Sequence, residues 1–230
     1  LRTYRATLFE DVIPFWLRHG IDAKGGINTC MADDGTLQSR DRWGWSQWRA
    51  VWLFSKLCTR FEKRPEWLQT AEGIAAFMFE HGPLPDGHWA TLQDGDGNVL
   101  KGFESIYTDG FAIYALVELF RATGEQRFLE AALSTFDAAE KVMNESWPPP
   151  AYPYPIPEGT MPHGVSMIFS VVYDELAEET GREDVRKAAR KHHRLVLDAF
   201  LRSDRGVLLE WLAIDGSELD PPQGTVVVPG

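Results

Sequence analysis

Arg49 is the residue of this sequence whose surroundings most invite chemistry. Trp45 lies at i−4, Trp52 at i+3 and Leu53 at i+4, positions that share one face of a helix with it. A guanidinium buried among indoles is costly unless it is paired. An oxyanion or a sugar hydroxyl would offset that cost, because Arg stays charged and presents a fixed fork of donors. So would a structural salt bridge with stacking on Trp. His163 follows Thr160-Met161-Pro162, a helix start with Pro in its first turn. There it either faces a pocket at one end of the fold or sits in water. Tyr107, Phe111 and Tyr114 recur at i, i+4, i+7, the spacing of a core face or of a pocket wall. Tyr107, nearest the helix start, is the one placed to reach a cavity mouth. Trp89 and Trp211 either stack on sugar rings or pack turns onto helices.

Other chemistries find less support. Glycoside hydrolysis needs two carboxylates facing one cavity, and the candidates Glu104, Asp109 and Glu210 make no convincing pair. Asp94-Gly95-Asp96-Gly97 lacks the alternation and closing Glu of a calcium loop and reads as a turn. Cys30 and Cys58 have no His or Cys neighbours at metal spacing, so no metal is expected. Dinucleotide, phosphate-loop and nucleophile-elbow motifs are absent from the sequence, and no cofactor is expected. His192 and His193, in a basic helix, are expected to be solvated.

The elements that must position these residues repeat. Gly25 to Gly35, Gly87 to Gly97 and Gly206 to Gly216 each read as a short strand running into an Asp-Gly turn. Gly35 and Gly97 are 62 residues apart, and Gly216 follows at about twice that spacing, which suggests an array of units. Between the turns the periodicity predicts helices at about 3–19, 42–62, 66–81, 106–122, 126–144, 161–180 and 183–203. The second is apolar nearly all round (Ala50, Phe54, Leu57 and Phe61, then Trp45, Trp52 and Leu53), as a helix buried on all sides would be. The seventh carries Arg186, Lys187, Arg190, Lys191 and Arg194 and shows a wet face. Buried inner helices alternating with wet outer ones fit an all-α, α/α-toroid fold; an irregular helical bundle fits nearly as well. The stretch Trp147 to Pro157 is a stiff linker, either a lip over a pocket or a docking site for a proline-reading module.

With 230 residues, 44% of them hydrophobic, the chain can bury a sizeable core. Its formal charge of −11 argues against nucleic acid as a partner. The longest apolar stretch, Val165 to Tyr173, is too short to span a bilayer. Two cysteines and no leader-like opening fit a cytoplasmic location. The chain lacks an initial Met and ends on Val-Val-Val-Pro-Gly, so both ends are read as cut.

Several blocks resemble the N-acylglucosamine 2-epimerase family. They are Pro14-Phe15-Trp16, the Gly25-Gly26 turn with Thr29-Cys30, Trp45-Ser46-Gln47-Trp48-Arg49-Ala50-Val51-Trp52, Pro65-Glu66-Trp67-Leu68, Gly87-His88-Trp89 and Tyr107-Thr108-Asp109-Gly110-Phe111. The resemblance implies a six-hairpin toroid holding a monosaccharide and proton removal at C2, next to the carbonyl of the ring-opened sugar. It also implies that residues 1–230 are a single partial domain, about seven helices with short hairpins, inactive alone. Arg49 matches the family's pocket arginine and would stabilise the enediolate. Tyr107 matches a pocket tyrosine, His163 a pocket-lining position, and Trp45 stands on the Arg49 face. Met167 stands where the isomerase branch has a histidine, which looks more like the acylglucosamine branch. The family's first catalytic histidine directly follows a Pro-Gly pair, so it would come next after Pro229-Gly230. The implied activity is epimerisation of a free or N-acylated sugar. Mannose-type aldose–ketose isomerisation and a non-catalytic sugar- or protein-binding toroid stay open, as does a homodimer.

Overall fold

The computed structural model describes residues 2–220 and Val226. Among the described residues there are seven helices, with short strands between them. α1 (2–20) alternates α and π turns; α2 is Gly44–Arg60, α3 Pro65–His81, α4 Ile106–Thr123, α5 Gln126–Glu145, α6 His163–Thr180 and α7 (183–200) ends in a π turn. All seven expected helices are present, and three of the shifted ends have one cause: backbone pairing. α2 starts at Gly44 rather than 42 because Arg42–Trp43 pairs with Leu92–Gln93. α6 starts at His163 because Thr160–Pro162 pairs with Trp211–Ala213. α7 stops at Phe200 because Leu201–Arg202 pairs with Val207–Leu208.

The helices form two layers. α2 packs on α4 and α4 on α6, giving an inner row, while α3, α5 and α7 each back their own inner partner. This is the double layer of an α/α toroid. α4, in the middle of the inner row, buries Ile106, Ile113, Leu116, Val117 and Leu119 completely, each burial favourable by roughly 1.5–3 kcal/mol. α2 buries Trp48, Val51, Phe54 and Leu57, but Phe61 at its end is exposed, so it is less enclosed than its sequence suggested. α7 sends Val185, Ala188 and Ala189 inward and leaves Lys187, Arg190 and Lys191 in water.

His192 departs from expectation. It lies one heptad after Val185, on the inward stripe, and is buried against Trp147, Phe169 and Tyr173 with Nδ1 3.1 Å from Ser166 Oγ. The buried arginine also differs from the expected one. Arg42 is fully buried, paired with Asp22 at 3.0 Å and lying 4.3 Å from the Phe77 ring, whereas Arg49 is exposed.

The repeat fixes where each inner helix begins. The first N–H of α2 donates to Thr91 O (2.9 Å), that of α4 to Pro150 O (2.8 Å) and that of α6 to Glu210 O (2.9 Å). In each case the acceptor comes from the loop after the next outer helix. The Ile21↔Ile27 bridge recurs as Pro83↔Trp89, offset by 62 residues. Thus three inner helices present their N-terminal turns at one end of the layer. Among the described residues, no helix is long and apolar enough to cross a membrane.

Candidate functional site

A cavity of about 520 Å³ opens at that end, within the range of small-molecule sites. Its walls follow a rule. The second and sixth residues of each inner helix line it: Trp45 and Arg49 of α2, Tyr107 and Phe111 of α4, Gly164 and Ile168 of α6. Residues spaced i, i+4 share a helix face. Trp45 to Tyr107 and Arg49 to Phe111 carry the same 62-residue offset as the turns. Met167 adds to the α6 wall and is exposed to the cavity.

The fourth residue of each inner helix points elsewhere and pins structure. Gln47 accepts the Ile27 N–H and donates to the Ile27 carbonyl, both at 2.8 Å. Asp109 accepts from Trp89 N–H at 3.0 Å and meets His88 Nδ1 at 2.5 Å, with His88 stacked on Phe103. Ser166 meets His192. Burial pushes the Asp109 carboxyl above its ordinary value, while His88 and the Trp89 N–H pull it back.

Arg49 lies with its guanidinium carbon 4.1 Å from the Phe111 ring centre. It has no hydrogen-bond or ion-pair partner among the described residues. Burial lowers its pKa, against which the nearby Tyr154 phenol acts. The expected packing among indoles is not what holds it. Trp45 stacks instead on Trp43 (4.7 Å), which stacks on Tyr152 (5.8 Å), and Trp52 stacks on Tyr114 (5.1 Å). The aromatic under the cation is Phe111, one repeat away.

The Tyr107 hydroxyl sits 3.0 Å from where a Cβ on Gly164 would stand, so a side chain at 164 would crowd the phenol. Burial, with Glu210 and Tyr154 adding to it, pushes the Tyr107 phenol up to about 12. His163 is buried edge-on against Phe200 at 5.9 Å and is not among the residues lining the cavity, although Pro162 and Gly164 on either side of it are. Burial lowers its pKa, with Glu210 opposing. Of the three carboxylates weighed from sequence, only Glu210 reaches the cavity; Asp109 is sealed in its clamp and Glu104 pairs with Lys101 at 3.0 Å. No two of them face the cavity together, so the paired-carboxylate geometry of glycoside hydrolysis is not formed among the described residues.

The proline-rich stretch is a lip. Ser105 bridges Ala151, and Tyr152 N–H donates to Glu104 O at 2.9 Å, which hangs Tyr152, Tyr154 and Ile156 over the opening. Phe111 as a cation platform and Glu210 as a lone wall carboxylate are not among the sequence expectations. The 62-residue offset could have found the first of these. Among the described residues, no group of three or more His, Cys, Asp or Glu could hold a metal ion. Asp94 turns its carboxylate onto the Asp96 and Asn98 N–H groups at 2.8 and 2.9 Å, as a turn residue does. The histidine expected after Pro229-Gly230 lies outside the described residues.

Comparison with known proteins bears on the fold and the family. N-acylglucosamine 2-epimerase from Rattus norvegicus is 28% identical over 232 residues, covering 96% of this chain and 54% of its own length. Mannose-6-phosphate isomerase from Rhizobium meliloti (strain 1021) is 25% identical over 236 residues, covering 97% of this chain and 58% of its own. The structure of cellobiose 2-epimerase from Bacillus thermoamylovorans B4167 superposes with a TM-score of 0.83 at 19% identity, over 94% of this chain and 60% of that one. The chain spans about half the length of the curated relatives it matches. The family profile of N-acylglucosamine 2-epimerase (GlcNAc 2-epimerase) matches residues 25–211, so the chain belongs to that family.

Proposed function

We propose that the protein to which this chain belongs is a carbohydrate 2-epimerase acting on a free or N-acylated sugar. The observation that carries this reading is Arg49: a guanidinium with no partner among the described residues, seated on Phe111 and facing an aromatic-walled cavity. A C2 proton beside a carbonyl is too weakly acidic for a lone base. A fixed cation beside the developing enediolate oxygen lowers that barrier. Arg49 fills that role, Trp45 and Tyr107 wall the sugar, and Met167 closes the α6 side. The ring is read as the N-terminal share of six hairpins, with the acid–base groups supplied by the rest of the protein. The share of the relatives' length that the chain spans supports this. A sugar is the only partner the reading requires.

Aldose–ketose isomerisation passes through the same enediolate and differs in where the proton returns. The similarity to a mannose-6-phosphate isomerase keeps it as the second reading. Incubating the complete protein with N-acetylmannosamine, mannose and cellobiose separates them. C2 epimers support the first reading, ketoses support the second, and no turnover of any of these sugars sinks both.

A further inference from the structure

We infer that Glu210 is a substrate-binding residue of this cavity, one that accepts hydrogen bonds from sugar hydroxyls and so sets specificity; the inference rests on the sugar-active reading above. The repeat supplies the argument. The residue at this position in each unit accepts the first N–H of an inner helix through its backbone carbonyl: Thr91 for α2, Pro150 for α4 and Glu210 for α6. The bond that all three units share therefore needs only the main chain, and a threonine, a proline or a glutamate can supply it. In the first unit the side chain is also absorbed by structure, since Thr91 is fully buried and its hydroxyl accepts the Glu104 N–H at 3.0 Å. In the third unit the side chain is a carboxylate that lines the cavity.

That carboxylate has no hydrogen-bond or salt-bridge partner among the described residues. It does not cap α6, whose N-terminus shows no side-chain cap. A half-buried carboxylate is desolvated without return unless something donates to it. Its acidic influence is felt by the Tyr107 phenol and by His163, and neither bonds to it among the described residues. Backbone pairing on either side (Pro162↔Trp211 and the His163 N–H bond) fixes its direction. Among the described residues, the cavity thus has two charged lining residues of opposite sign, Arg49 and Glu210. A polyol substrate satisfies both: its reacting oxygens face the cation and its hydroxyls donate to the carboxylate. The carboxylate also disfavours a substrate that carries a second anion such as a phosphate.

The experiment uses the complete protein, whichever of N-acetylmannosamine, mannose and cellobiose it turns over fastest, and the variants Glu210→Gln and Glu210→Ala. Both variants keep the backbone bond to His163, and Gln keeps the shape. Loss of the acceptor raises KM about tenfold in Glu210→Ala with kcat within about threefold of wild type. Glu210→Gln, which retains a carbonyl acceptor, raises KM by less. Unchanged KM in both folded variants overturns the inference. So does a hundredfold fall in kcat at constant KM, which would make Glu210 a proton-transfer group. Wild-type protein that turns over none of these sugars refutes the functional reading instead, and the two failures are told apart in that way.

Discussion

Tyr107 and Asp109 stand two residues apart in the first turn of α4 and have opposite fates. Tyr107 faces the cavity with its phenol unbonded among the described residues, while Asp109 is wholly buried and holds both His88 and the Trp89 N–H. About 200° of helical rotation separates them. The same division recurs on α2, where Arg49 faces the cavity and Gln47 pins Ile27. It recurs again on α6 with Gly164 and Ser166. Residue type does not separate functional from structural polar groups here, since a buried His–Asp pair resembles a catalytic pair and is a clamp. Angular position on the inner helix separates them, and each prediction below tests that division.

The largest effect is expected at the cavity. Arg49→Ala in the complete protein should lower kcat on the order of 10³-fold, the loss typical of removing a group that stabilises an oxyanion. The fold should survive, because Arg49 is exposed and its contact is with the Phe111 ring. Near-normal activity would remove Arg49 from the proposed role. The structural face should respond in the opposite way. Asp109→Ala strands His88 and the Trp89 N–H inside the protein, and should cost about 3 kcal/mol in denaturant melts. Activity per folded molecule should change far less than in Arg49→Ala. If Asp109→Ala abolished turnover without destabilising, the division between faces would be wrong.

How much of this was legible depended on the period. Seven helices followed from apolar spacing, and the starts of α2 and α6 and the end of α7 moved because Arg42–Trp43, Thr160–Pro162 and Leu201–Arg202 pair as strands, a tertiary event that helical periodicity does not report. Arg49 lines the cavity, but its neighbours are not those that its sequence suggests. The indoles near it in sequence stack on Trp43 and Tyr114, and its platform, Phe111, comes from the next repeat. Local i, i+4 logic reaches along one helix and cannot see across to another. His192 was judged by its basic neighbours, although its heptad spacing from Val185 already placed it inside. Glu210 was weighed only as half of a carboxylate pair, so its isolation counted against it. In the folded cavity that isolation is its most informative property.

A smaller effect is expected at Tyr107. Removing its hydroxyl in Tyr107→Phe should lower kcat/KM about three- to tenfold, the worth of one neutral hydrogen bond to substrate. Its ionisation offers a second test. The folded phenol titrates at about 12 against the ordinary 10.0. Below pH 10 both folded and unfolded states keep the proton, and stability does not depend on it. Between pH 10 and 12 the folded state holds a proton that the unfolded state has lost. Stability should therefore fall across that window, by roughly 2–3 kcal/mol in all. Denaturant melts should show this slope in wild type and a shallower one in Tyr107→Phe. An equal slope in both would mean that the phenol is not desolvated.

The smallest effect on turnover is expected at His163, although its sequence position made it a site candidate. As first residue of α6 it belongs to neither the cavity face nor the pinning face, and its ring packs on Phe200. Its tie to Glu210 runs through the backbone N–H, which any residue but proline supplies. His163→Asn should thus keep kcat within about twofold of wild type, while losing roughly 1–2 kcal/mol of stability from the vacated contact. A hundredfold loss of kcat in a variant that melts like wild type would show the ring in contact with substrate. The reading that the first residue of an inner helix stays out of the cavity would then fail at the helix where the fold leaves the least side chain, Gly164, to line it.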